Sequence, residues 1–242
     1  KISKNKIKCL HADLDTLNKT LGNQKFDIIY MEGVFQHLQK PNLTVNKLYK
    51  RLNIGGVFYL DFYRSGIIYW LLVELLRKKI NFQDFQKFKN YLNLKKLTNK
   101  KITYSRSNLS ERLYDDLFVP NIRFYNAEEV KRSIQNSRAK IIYCQIFKKL
   151  SRNFNSYKYF SIILKKSKTV VKKFNIVNEK NEKAFSQIDD YKKFILNFNK
   201  LKFKSKKDLF ILIIKIFQKY SSWHFYKDEK KTILTLNKFL GI

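Results

Sequence analysis

The stretch of residues 25–63 constrains the fold most, because its pattern predicts a strand, a helix and a second strand. Residues 26–31 are a nearly continuous apolar run with adjacent isoleucines, which is typical of a strand buried on both faces. Pro41 opens a segment with leucines at helical intervals, and Gly55-Gly56 predicts the end of that helix. Residues 57–63 predict another buried strand. A unit of this length favours a right-handed crossover between parallel strands, and so an α/β fold.

The alternation is interrupted at residues 64–120, where apolar and aromatic residues at helical spacing predict a helical insertion lying over the sheet. It resumes at Asn126, which is a good N-cap for a helix over residues 126–137. Residues 139–147 and 156–165 then predict two antiparallel strands, joined by the polar loop 148–155, at the edge of the sheet.

The remainder of the chain divides by composition into two parts. Residues 167–190 are polar, charged and without a clear period, which predicts a linker. Residues 191–242 have helical spacing, and the run 209–217 is too apolar for an exposed helix and too short to cross a bilayer. We therefore predict a body at 1–166 that includes the insertion, a linker, and a basic helical appendage at 191–242. The apolar run must be covered by other tail helices, by the body or by a partner.

A net charge of +32 would normally suggest a polyanionic partner, but the kind of basic residue argues against it. Only 9 of the 51 basic residues are arginine, the residue that binds phosphates and base edges through two parallel hydrogen bonds. A lysine excess spread along the chain is more typical of a solvated surface. Because the tail contains no arginine, we expect no sequence-specific binding of nucleic acid.

Composition also bears on metals and membranes. The two cysteines and three histidines show no metal-ligand spacing, so no metal site is predicted. No apolar run reaches the roughly 18 residues that a membrane span needs. A cytoplasmic location is the default. The apolar run 67–76 has two interpretations: a buried cap helix, or a helix lying on a membrane with the basic residues 77–79 at anionic lipid headgroups.

Several short motifs within residues 25–63 occur together. Phe26-Asp27 heads the first strand, Gly33-Val34 is followed by His37 and Pro41, and residues 52–56 read Leu-Asn-Ile-Gly-Gly. This combination resembles the class I S-adenosylmethionine-dependent methyltransferases that act on small molecules. In that family Phe-Asp heads the fourth strand, and a Leu-Lys-Pro-Gly-Gly turn precedes the fifth. The Lys-Pro pair is replaced here. The resemblance covers roughly residues 5–165.

The resemblance implies a Rossmann-like sheet, S-adenosylmethionine as cofactor, and a set of cofactor contacts. The segment 7–12 is predicted as a strand that corresponds to the family's third, so Asp13, with the adjacent Leu14, would contact the adenine; Asp13 as a simple cap is the alternative. Met31 and Glu32 end the next strand and would line the cofactor crevice, although Met31 fits a core position nearly as well.

Three further residues are candidates for chemistry with the methyl acceptor. His37 is a candidate general base, since a neutral imidazole suits proton removal near pH 7, but the equivalent histidine of the family more often shapes its loop. Tyr63 and Arg64 follow the fifth strand and face the insertion. Arg64 is either a partner for an acidic group of the acceptor or one half of a surface ion pair.

One departure from the family is large: no glycine lies upstream of Asp13, where a glycine-rich loop should hold the methionine end of the cofactor. We expect a sheet that is incomplete at its N-terminal side in this chain, with the loop encoded upstream. The predicted function is methyl transfer to a small-molecule, lipid-precursor or sugar acceptor. The alternatives are a basic module that binds RNA or an anionic membrane surface, and a remnant of the fold without activity. The oligomeric state is not predicted.

Overall fold

The structure is a computed structural model that describes residues 9–14, 17–81, 83–97, 109–145, 159–219 and 229–241. Its strands are β1 (Phe26–Met31), β2 (Leu52–Tyr63), β3 (Lys140–Gln145) and β4 (Tyr159–Lys165). They form a four-stranded sheet in the order β1-β2-β4-β3, in which β1 and β2 are parallel and β4 is antiparallel to both of its neighbours. The predicted mixed α/β fold with a parallel pair is confirmed.

The helices of the described residues alternate with these strands and then follow them. In chain order they are α1 (Leu17–Leu21), the 3-10 turn Phe35–His37, α2 (Pro41–Lys50), α3 (Ile68–Arg77), α4 (Asp84–Leu94), α5 (Leu109–Leu113), the π-helical turn Tyr114–Phe118, α6 (Ala127–Asn136), α7 (Asn181–Phe185), α8 (Asp189–Lys200), α9 (Lys206–Lys219) and α10 (Glu229–Leu240). Two N-terminal signals behave as predicted. Pro41 occupies the first turn of α2, and the side chain of Asn126 accepts the N–H groups of Glu128 and Glu129.

One face of the sheet is covered by α2 and α6. Val45 and Leu48 of α2, with Val130 and Ile134 of α6, pack in one apolar cluster against the inward side chains of β2 and β4. Those inward side chains are Phe58, Leu60, Phe62, Phe160, Ile162 and Leu164. Their alternation along each strand is the two-residue period of a sheet that buries one face.

The opposite, outer face of the sheet is open over β1, which corrects the expectation that the first strand is buried on both sides. Ile28 is 69% exposed and Tyr30 is 63% exposed. Tyr59 of β2 and Tyr143 of β3 lie on the same face. An apolar run indicates burial only if an element packs against each face. On the outer face α3 packs on Tyr63 at the end of β2, while β1 stays exposed. Among the described residues β1 also pairs on one side only, with β2.

Gly55 and Gly56 act within β2, because α2 already ends at Lys50 and not at the predicted glycine pair. Gly55 has a φ of +87°, a backbone region that favours glycine. A Cβ at Gly56 would lie 2.9 Å from the carbonyl oxygen of Asp27. The pair therefore permits a close approach of β2 to β1 beside an irregularity in their register.

The insertion and the C-terminal helices share a second apolar cluster. Phe88 of α4 packs edge-on against Phe210 of α9 at 4.7 Å between ring centroids, and Tyr69 of α3 contacts Phe217. Lys206 pairs with the carboxylate of Asp84 at 2.7 Å. The insertion thus covers the apolar residues 209–217, which answers what buries that run.

The segment between sheet and tail is packed onto the body over part of its length. Phe174 and Ile176 are buried against the sheet cluster. Asn46 and Asn42 lie one turn apart on α2. The side-chain amide of Asn46 accepts from the N–H of Phe174 and donates to its carbonyl, and the amide of Asn42 does the same with Ile176. We call residues 171–178 the strap. Two apolar residues spaced by two were too weak a pattern to predict it. Whether residues 1–166 and 191–242 fold independently stays a prediction.

Some predicted elements lie partly or wholly outside the described residues. The strand predicted over 7–12 is wrong for residues 9–12, which are irregular, and residues 7 and 8 lie outside the described part. A strand needs a neighbour to pair with, and residues 9–12 pair with none of the described strands, although one edge of β1 is unpaired among them. The loop 148–155 also lies outside the described residues. Within them, no helix combines the length and apolarity needed to cross a membrane.

Candidate active site

The candidate site lies where the parallel strands β1 and β2 end side by side. Met31 is paired in register with Leu60. The residues that follow Met31 therefore lie beside the last residues of β2. Met31 is buried, and Glu32 is exposed at the edge. In open sheets of this kind, ligands bind outside the carboxyl ends of the parallel strands. The predicted residues Glu32 and Tyr63 are therefore brought to one edge.

The turn after β1 is held by hydrogen bonds from both sides. The hydroxyl of Tyr30 donates to the carboxylate of Glu32, and this bond raises the pKa of Tyr30 to about 12. Gly33 has a φ of +67°, and its N–H donates to Oδ1 of Asp61 at 2.8 Å. A left-handed residue directly after the strand directs the chain into the 3-10 turn at Phe35–His37.

Asp61 is a carboxylate in an otherwise apolar strand. Its residue surface is 5% exposed, and burial raises its pKa to about 6, with the charge of Glu32 adding to the effect and the N–H of Gly33 opposing it. On the same outer face the ring of Tyr59 stacks on Tyr30 at 4.7 Å, and its hydroxyl lies 2.9 Å from that of Ser161. Two carboxylates, two phenols and a hydroxyl thus gather beside the edge.

His37 is fixed between the edge and the end of the insertion. Its Nδ1 lies 2.8 Å from the carbonyl oxygen of Asn121, so Nδ1 carries a proton and donates to that oxygen. The ring meets Tyr63 edge-on at 5.7 Å. Arg123 donates to the carbonyls of Leu38 and Gln39, so it also joins the end of the insertion to the segment after β1. This arrangement fits both a proton acceptor and a residue that shapes the loop.

Tyr63 links the site to the insertion. Its ring stacks on Trp70 of α3 at 4.3 Å and meets Tyr159 edge-on. Arg64 follows at the end of β2, half-buried, in a bridge with Tyr125. The run Ile67–Leu76 is buried in the shared cluster, as predicted for a cap helix rather than a helix lying on a lipid surface.

Asp13 and Leu14 lie in the irregular segment before α1. Asp13 is exposed, while Leu14 is half-buried against the sheet cluster. The strand that was expected to aim Asp13 at an adenine is not formed over residues 9–12. The contact between Asp13 and a cofactor stays a prediction that rests on the resemblance alone.

Sequence reasoning missed two buried polar residues of this edge. Asp61 had a signal that went unused: it is the single charge in the apolar run 57–63. Gln36 had none. It is fully buried in the 3-10 turn, and neither its amide nitrogen nor its amide oxygen has a hydrogen-bond partner among the described residues. A buried amide without partners is a costly arrangement that a bound ligand or water relieves.

The described residues fit one side of a site for S-adenosylmethionine. Gly33 leaves open space where a side chain would stand, Glu32 offers an exposed carboxylate, and the amide of Gln36 is unpaired nearby in the chain. The side that would hold the methionine end has no counterpart in the described part: the one glycine before β1 is Gly22, beyond α1. Nor do the described residues hold a cluster of three or more metal-ligand side chains.

Comparison with known proteins gives one family. The model of the family described as "Methyltransferase domain" matches residues 1–60, which end within β2 and include the whole of β1, the Glu32–His37 turn and α2. No curated protein matches the chain. The match covers 60 of the 242 residues, so the insertion and the tail lie outside it. The match and the mixed α/β sheet together support the assignment of this chain to the class I S-adenosylmethionine-dependent methyltransferases.

Proposed function

We propose that the protein transfers a methyl group from S-adenosylmethionine to a small acceptor at the carboxyl edge of β1 and β2. The observation that carries the proposal is the family match ending in β2, combined with the meeting of Glu32, Gly33, His37 and Tyr63 at that edge. The cofactor, when bound, supplies an already activated methyl group. The protein then has to align an acceptor with it and exclude water.

The residues of this chain divide into a cofactor side and an acceptor side. Met31, Glu32 and Gly33 end β1 and would contact the cofactor, with Asp13 and Leu14 expected at its adenine. On the acceptor side, Tyr63 lies under the insertion and Arg64 follows it. His37 uses Nδ1 in its bond to Asn121, so Nε2 is its candidate atom for accepting a proton from an acceptor hydroxyl or amine.

The acceptor class follows from what surrounds the edge. The insertion is bound to the site by the stack of Trp70 on Tyr63 and by the bond of Asn121 to His37. An insertion attached so close to the edge leaves room for a small molecule, a sugar or the head of a lipid precursor, and disfavours a folded macromolecule. The positive charge of Arg64, a half-buried residue, favours an acceptor that carries an acidic group.

Transfer is tested with a donor labelled in its methyl group. The protein, produced from its complete open reading frame, is incubated with the donor and with separate pools of soluble metabolites, sugars and lipids. We expect label in a small acceptor, and we expect Arg64→Ala to raise the KM for that acceptor about tenfold while the cofactor Kd is unchanged. Arg132→Ala on α6 is the matched control. Label found only in protein, or in no pool, contradicts the proposal.

A second candidate function is the binding of a polyanion. A groove of about 870 Å³ between α6 and the strap has five cations and two carboxylates in its lining. The cations are Arg132, Lys172, Lys173, Lys180 and Lys183. Among the described residues none of them forms an ion pair. Because the surface is concave, it fits single-stranded RNA better than a flat membrane.

Salt dependence separates this candidate from general attraction to a basic protein. Binding of a 12-nucleotide RNA is followed by fluorescence anisotropy between 50 and 300 mM salt. Removing Lys172, Lys173 and Lys180 together should make the negative slope of log K against log salt shallower by about 2. The control removes three exposed lysines of α8, namely Lys192, Lys193 and Lys200. Equal effects of the two triple variants contradict a binding groove.

A further inference from the structure

Asp61 is the residue of the candidate edge whose position no motif accounts for. Its side chain faces the outer side of the sheet, in register with Ser161 of β4 and beside Tyr59 and Tyr30. Burial of a carboxylate costs free energy unless the group is bonded. The bond that the structure provides is the N–H of Gly33 at 2.8 Å, which joins the last part of β2 to the turn after β1.

A Cβ placed at Gly33 would meet no atom within 4 Å, so packing on that side does not hold the residue. Its φ of +67° is a conformation that glycine adopts without the steric cost that other residues carry. The neighbouring residues carry the proposed cofactor contact, Glu32, and lead to His37. The bond that joins the turn to β2 is therefore the charge-assisted hydrogen bond between Gly33 and Asp61.

We propose that Asp61 is a positioning residue of this site: its carboxylate holds the Glu32–Val34 turn in place while ionised and releases it on protonation. The part of this inference that concerns cofactor affinity rests on the proposed function. The part that concerns the turn does not.

The surroundings make this protonation accessible under mildly acidic conditions. The titratable groups that face Asp61 are Glu32, Tyr30 and Tyr59, and none of them is a cation. Burial and the charge of Glu32 both disfavour the ionised carboxylate, so its pKa of about 6 lies above the ordinary value of 3.8. A neutral carboxyl group is a weaker acceptor for the N–H of Gly33 than a carboxylate is.

The first test follows the turn without any cofactor. Amide exchange of Gly33 is measured by NMR at pH 5 and pH 7.5 and expressed as a protection factor, which removes the intrinsic pH dependence of exchange. In the wild-type protein we expect protection to fall about tenfold at pH 5. Asp61→Asn keeps an acceptor oxygen but cannot titrate, so its protection should not change with pH. Asp61→Ala should show low protection at both pH values.

The second test measures the Kd of S-adenosylhomocysteine, which cannot donate a methyl group, by calorimetry at the same two pH values. The control is Asp27→Asn, which removes a carboxylate at the other end of β1 that bonds Asn53. We expect weaker binding at pH 5 for the wild type and for Asp27→Asn, and no pH effect for Asp61→Asn.

Two outcomes overturn the inference: pH-independent protection of Gly33 in the wild type, or the same response from Asp27→Asn as from Asp61→Asn. Protection that follows Asp61 in a protein that binds no cofactor supports the role of Asp61 in the turn and contradicts the proposed function. The two ideas therefore fail separately.

Discussion

Nδ1 of His37 lies 2.8 Å from the carbonyl oxygen of Asn121, although 84 positions separate the two residues in the chain. The bond joins the turn after β1 to the segment that ends the insertion. It explains how an insertion outside the family match is held against an edge inside it. His37 belongs to a stretch that resembles a family motif, but its hydrogen-bond partner, Asn121, lies outside that motif.

We expect His37→Ala to lower the free energy of unfolding by about 1 kcal/mol, because it removes one neutral hydrogen bond between the two segments. Methyl transfer should be reduced and not abolished. Urea unfolding measures the first effect, and His11→Ala is the control because His11 is exposed. An effect no larger than that of His11→Ala would show that the bond does not hold the insertion.

Arg77 should be irreplaceable by lysine. Its guanidinium donates to the carbonyls of Leu117, Val119 and Pro120 at 3.0, 2.7 and 3.3 Å and so fixes the chain that leads to Asn121. Lysine retains the charge but not the planar fork. We expect Arg77→Lys to cost about 1–3 kcal/mol in urea unfolding. Arg132→Lys on the exposed side of α6 should cost almost nothing, and equal costs would refute this role.

The strap over α2 offers a matched pair of neighbouring residues. Ile176 is 3% exposed and Val177 is 59% exposed. Ile176→Ala should destabilise the protein by about 2–5 kcal/mol, because it leaves a cavity beside the sheet cluster. Val177→Ala should change the stability by less than about 0.5 kcal/mol. Thermal melts of the two variants decide the point: similar melting temperatures would mean that the segment is a linker, as its composition suggested.

Asp61 should also give the stability a defined pH dependence. Between pH 4 and its folded pKa of about 6, the folded protein keeps a proton that the unfolded chain releases. The contribution of Asp61 therefore decreases as the pH rises through this window and is lost above it. Relative to Asp61→Asn, the wild type should gain a few degrees in Tm on going from pH 7 to pH 4.5. Parallel pH profiles for the two proteins would contradict the raised pKa.

The sequence allowed prediction of the elements whose signals are local. Pro41 favours the start of α2 through its fixed φ, and Asn126 caps α6 through hydrogen bonds within one turn, so both helix starts were predicted correctly. The parallel pair followed from the spacing of apolar runs. The exposure of Ile28 and Tyr30 could not be predicted, because burial of a strand depends on which elements pack against it.

The candidate site divides in the same way. Met31, Glu32 and His37 follow a local motif, and the fold brings them to the edge. The partners of that edge come from distant parts of the chain: Asn121 bonds His37, and Asp61 bonds Gly33. Such pairs leave no periodic trace in a single sequence. The segment 171–178 was missed because its burial rests on the amides of Asn42 and Asn46.

The most direct test of the central claim is a calorimetric titration of S-adenosylmethionine into the protein produced from its complete open reading frame. We predict binding to one site per chain. Asp13→Ala and Glu32→Ala should each raise the Kd about 5- to 150-fold, which corresponds to the roughly 1–3 kcal/mol of a lost polar partner. The exposed Asp27→Ala should leave the Kd unchanged. Absence of binding at millimolar cofactor would contradict the assignment of a methyl-transfer site to the β1–β2 edge.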